Sequence, residues 1–85
     1  MTLTGMQVRM ARVALRWRVD DLAEHSGVQW ARLQQIERAD GAPSAYPEVM
    51  NALKLAFEKH GVEFLSGDES HQSYIKLKTD SNKVD

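Results

Sequence analysis

Apolar and polar positions follow a helical period from the start of the chain. Met6, Met10, Val13, Ala14 and Trp17 recur at three- and four-residue spacing. Thr4-Gly5-Met6-Gln7 places a hydroxyl at a cap position and a glutamine three residues on, the pattern of a capping box. These signals predict a first helix over about residues 5–16. Val19 to His25 opens with Asp20 and Asp21, which suit the positive end of a helix. Gly27 then supplies the stop, so a short second helix is expected over about 19–26. From Gln29 to Arg38, Ala31 or Leu33 and then Ile36 face inward among polar residues, predicting a third helix. Asp40-Gly41-Ala42-Pro43-Ser44 has loop composition. Pro47 fits the first turn of a fourth helix. Its stripe is Val49, Met50, Leu53, Phe57 and His60, and Gly61 ends it.

After Gly61 the period changes to two. Residues 62–65 and 74–78 read as short strands, with turn chemistry at 66–70 between them. A lone hairpin is marginal, so it must pack on the helices or pair with another chain. The expected class is therefore mainly α: four helices, with room for a fifth, and a short C-terminal β-hairpin. The expected organisation is a helical domain over 1–61, a hairpin extension over 62–78 and a disordered tail over 79–85.

Length and composition narrow the setting. Eighty-five residues make one small domain with a marginal core. The absence of cysteine excludes disulfides and thiolate metal sites. The apolar runs are too short to span a bilayer, and the first ten residues lack a signal-peptide core. The expectation is a soluble cytoplasmic protein with no membrane partner.

The net charge of −1 gives no bulk attraction to nucleic acid, yet the cations are sorted. Arg9, Arg12, Arg16, Arg18, Arg32 and Arg38 are all the arginines, and every lysine lies beyond them, from Lys54 on. Arginine forks onto phosphates and guanine edges better than lysine does. An anion-reading face is thus expected in the N-terminal half.

Two short helices joined by a tight turn at Gly27 form the helix-turn-helix arrangement. The stretch DDLAEHSGVQWARLQQIERADG resembles the phage-repressor family, also called lambda-repressor-like, Cro or xenobiotic-response-element (XRE) regulators. Leu22, Ala23, Gly27, Val28, Leu33, Ile36, Glu37 and Arg38 carry the resemblance. It extends over roughly residues 3–78, where LTGMQVRMARVALRW and the run into GVEF look like a subgroup of small bacterial regulators with a terminal strand. The resemblance implies a lambda-repressor-like bundle whose third helix lies in the DNA major groove. By the same likeness Gln29 caps that helix. Gln29, Trp30, Arg32, Gln34 and Gln35 become base-reading candidates, with Ala31 among them on the exposed side. Arg12 and Glu37 match a structural ion pair between the first and third helices. Val19 replaces a glutamine common in the family, Arg16 replaces a common glycine, and 40–43 lack the usual basic residues. Phosphate contact is left to Arg16, Arg18 and Arg38, so modest affinity per subunit is expected.

Trp30 admits three roles: contact with a thymine methyl or the sugar backbone, packing between the second and third helices, or an anchor for a protein partner. Trp17 lies on the apolar stripe and is expected in the core. His25, His60 and His71 are scattered without ligand spacing, so neither metal nor cofactor is expected. No nucleophile–base set or phosphate-binding glycine loop is visible, which argues against an enzyme. The expected function is sequence-specific binding of double-stranded DNA by a small transcriptional regulator, a repressor, acting as a homodimer. The rival is a protein-interaction module on the same frame. An antitoxin would combine both, holding a toxin or another regulator while binding its operator.

Overall fold

The computed structural model describes residues 3–39, 45, 47–65 and 74–78. It is mainly helical. The elements run α1 (Gly5–Ala14), α2 (Val19–Ser26), α3 (Trp30–Arg38), α4 (Pro47–Lys59), β1 (Val62–Leu65) and β2 (Tyr74–Leu77). The expected loop at 40–44, the turn at 66–70 and the tail at 79–85 lie outside the described residues. No fifth helix occurs among the described residues.

Local chemistry sets most of the boundaries. The Gln7 backbone N–H donates to Thr4 Oγ1, and the Thr4 backbone N–H donates to Gln7 Oε1, both at 3.0 Å. This reciprocal pair satisfies two of the donors that a helix start leaves open. α1 ends at Ala14, two residues before the periodicity predicts. There Arg16 adopts φ 60, and its N–H donates to Val13 O while that of Trp17 donates to Arg12 O, each at 2.9 Å. The two bonds close a Schellman motif, with arginine in the left-handed position that usually falls to glycine. α2 ends as expected at Gly27, with φ 76 and a bond from its N–H to Ala23 O. Ser26 stitches the turn, donating its hydroxyl to Leu22 O and accepting from the Val28 N–H.

The core joins Leu3, Val8, Ala11, Leu22, Val28, Leu33, Ile36, Leu53, Phe57, Val62 and Phe64. Apart from Ala11, each such side chain contributes about 1.5–3 kcal/mol on full burial. The inward face of α1 is rotated from the predicted stripe. Gln7, Val8 and Ala11 are buried, whereas Val13 and Ala14 face solvent and Met6 and Met10 are half-buried. The reason is long-range. Gln7 Nε2 donates to Leu65 O at 3.0 Å and Tyr74 O at 2.8 Å, so a polar side chain takes an inner position against the hairpin. In α3 it is Leu33 and Ile36 that face inward, while Ala31 is exposed. In α4, Ala56 joins Leu53 and Phe57, while His60, just past the end of the helix, is exposed.

β1 and β2 pair antiparallel, with Val62 opposite Leu77, Glu63 opposite Lys76 and Phe64 opposite Ile75. Val62 and Phe64 belong to the core, so the hairpin packs on the helices as an integral part of the fold. β2 ends at Leu77, one residue short of prediction; Lys78 still donates its N–H to Gly61 O. α3 rests on α1 and α2, whereas the hairpin rests on α1 and α4.

Candidate functional site

α1 fixes the inner side of α3. A Cβ on Gly5 would overlap the carbonyl oxygens of Ile36 and Ala39, so only glycine lets the two backbones approach this closely. Arg12 Nε donates to Glu37 Oε2 at 2.8 Å and Nη2 to Oε1 at 3.0 Å. Its Nη1 reaches Trp17 O at 2.9 Å. Arg9 Nη1 donates to the Glu37 carbonyl oxygen. Glu37 is buried and Arg12 nearly so, and their two-pronged geometry satisfies both carboxylate oxygens. These arginines hold α1, the α1–α2 turn and α3 together, so little of their donor capacity is left for an outside anion.

The outer side of α3 is different in kind. Gln29, Trp30, Ala31, Gln35 and Arg38 are exposed, and Arg32 and Gln34 are half-buried. Among the described residues, none of these side chains takes part in an internal hydrogen bond or ion pair. Gln29 holds the cap position with φ −62 and ψ 143, but its side chain makes no capping bond. The expected cap is therefore positional only; with one more methylene than asparagine, glutamine does not present its oxygen to the first turn as readily. Trp30 is 48% exposed, which excludes full burial between α2 and α3.

Arg16 and Arg18 flank the start of α2, both exposed. The Arg18 N–H donates to Asp21 Oδ2 at 2.7 Å. A guanidinium has no acceptor, so only this return half of a capping box forms. Arg18 also lies 3.9 Å from Asp20, an exposed pair of little energetic weight. Asp20 and Asp21 outnumber Arg18 here and oppose an incoming anion at the α2 N-terminus. A shallow concavity of about 400 Å³ between the three helices is lined by Arg9, Arg12, Val19, Gln34, Glu37 and Arg38. Val19 supplies an apolar wall where a polar side chain could have reached outward.

A second cluster joins residues far apart in sequence. Trp17 stacks on His25 with ring centroids 4.3 Å apart and planes within 5°. His60 meets Trp17 and His25 edge-on, each at 4.8 Å. Phe57 underlies Trp17 at 5.7 Å. Trp17 is thus half-buried against the core's edge and is not a fully enclosed core residue. His25 and His60 are likewise not scattered: packing of α2 on α4 brings them together across 35 residues of sequence. His71 lies outside the described residues. Among the described residues, no three histidine or carboxylate side chains gather as a metal site, and no helix is long and apolar enough to cross a membrane.

Comparison with protein-family models, curated proteins and solved structures yields no significant match.

Proposed function

We propose that α2, the Gly27 turn and α3 act as a helix-turn-helix of the lambda-repressor-like kind, and that the chain is a small regulator binding double-stranded DNA sequence-specifically. α3 enters the major groove. Arg32 forks onto guanine, Gln34 or Gln35 pairs with adenine, and Trp30 meets a thymine methyl or the sugar backbone. Arg16, Arg18 and Arg38 contact phosphates. A single observation carries the reading: the outer side of α3 is mostly polar, exposed or half-buried, and makes no hydrogen bond or ion pair among the described residues, while its inner side is clamped by Gly5, Arg9 and Arg12. A rigid helix with idle donors and acceptors has the form that base reading requires. One such helix covers few base pairs, so a homodimer with two heads about 34 Å apart is part of the proposal. Leu55, Tyr74 and Leu77 supply exposed apolar surface away from α3 for that association.

The exposed indole of Trp30 favours one second reading. In it the same face anchors a protein. Selection from randomised duplexes at two salt concentrations separates the two. The DNA reading expects an enriched sequence whose binding weakens steeply with salt. No enrichment even at low salt would overturn it and leave the protein partner.

A further inference from the structure

His25 lies in the last turn of α2, and His60 directly follows α4. The carbonyl ends of two helices therefore converge beside these rings, and such ends favour a cation. The ring centroids of His25 and His60 are 4.8 Å apart with planes at 74°. A metal–nitrogen bond is about 2.0–2.1 Å and a ring nitrogen lies about 1.1 Å from its ring centre, so two imidazoles on one tetrahedral ion have centroids about 5 Å apart. Both residues are exposed, and no group among the described residues hydrogen-bonds either ring. Trp17, stacked on His25, restrains that ring.

We infer that His25 and His60 form a two-imidazole site for a divalent transition-metal ion of the copper, nickel or zinc class, with water in the remaining positions. Imidazole suits these ions, and Cu²⁺ binds most tightly in the general order. The bound ion ties the end of α2 to the end of α4, and binding stabilises the folded chain by mass action. The inference is independent of what α3 binds.

The full chain carrying Trp30→Phe has Trp17 as its one tryptophan. Titration with Cu²⁺ or Ni²⁺ is expected to quench that emission saturably, at one ion per chain. Zn²⁺ is expected to raise the melting temperature. His25→Gln and His60→Gln, both at exposed positions, should each fold and each weaken binding about tenfold or more. His71→Gln should leave binding unchanged. Quenching that never saturates, or saturable binding that survives His60→Gln, overturns the site. Loss of binding in His71→Gln overturns it as well, by moving the ion elsewhere.

Discussion

The two tryptophans show how one residue type takes two jobs. Trp17 follows α1, and its ring is enclosed on several sides by His25, Phe57 and His60. Trp30 opens α3, with nearly half its surface in water and no ring contact among the described residues. Around Trp17, stacking and apolar burial contribute to folding. Around Trp30 the same atoms remain in water. An indole in solvent gives up the burial that an indole in the fold gains, which is the ground for the binding role proposed for Trp30.

The sharpest way to break this contrast is stability. Trp17→Ala is expected to cost about 3 kcal/mol, at the low end for a large aromatic because the ring is only half-buried. For a chain of this size that lowers the melting temperature by on the order of 15 °C. A thermal melt that barely moves would show that the ring cluster is ornamental. On the other side, Arg32→Ala should leave the melt unchanged and cost about 1–3 kcal/mol in binding to the preferred duplex, confined to one base pair. Arg18→Ala instead should weaken all sequences alike and flatten the salt slope by about one unit. Equal loss across sequences for Arg32→Ala would remove it from the reading face.

A smaller effect probes the turn beside Trp17. Arg16 holds a left-handed conformation that costs a non-glycine residue about 1 kcal/mol. Arg16→Gly should therefore raise stability by about that amount or less, and Arg16→Asn by a fraction of it. Both should lose one phosphate contact, read as a shallower salt dependence of duplex binding. The smallest effect is Trp30→Ala on folding, expected within about 0.5 kcal/mol. Iodide should quench Trp30 emission in Trp17→Phe far more than it quenches Trp17 in Trp30→Phe. Equal quenching would erase the contrast.

Features encoded by near neighbours were legible in the sequence. The Thr4–Gln7 box, the stop at Gly27 and both strands each depend on residues within a few positions. What escaped depends on distant ones. The inward turn of Gln7 answers to carbonyls at Leu65 and Tyr74, so no local period could reveal it. The meeting of His25 with His60 follows from how α2 packs on α4. The early end of α1 was hidden because arginine occupies a conformation that composition would assign to glycine. The outer face of α3 was visible as a run of polar residues about Leu33 and Ile36. That its side chains make no hydrogen bond or ion pair among the described residues emerges only from the fold.

The buried amide of Gln7 also imposes an order on assembly. It sits in the first turns of α1, yet its two acceptors belong to residues 65 and 74. Until those emerge during synthesis, the amide must stay in water or be enclosed with idle donors, at about 1–3 kcal/mol. Val62 and Phe64 arrive equally late to close the core. α1, made before the other helices of this fold, is thus among the last to be sealed, and a chain cut after Gly61 is left with an open seam along α1.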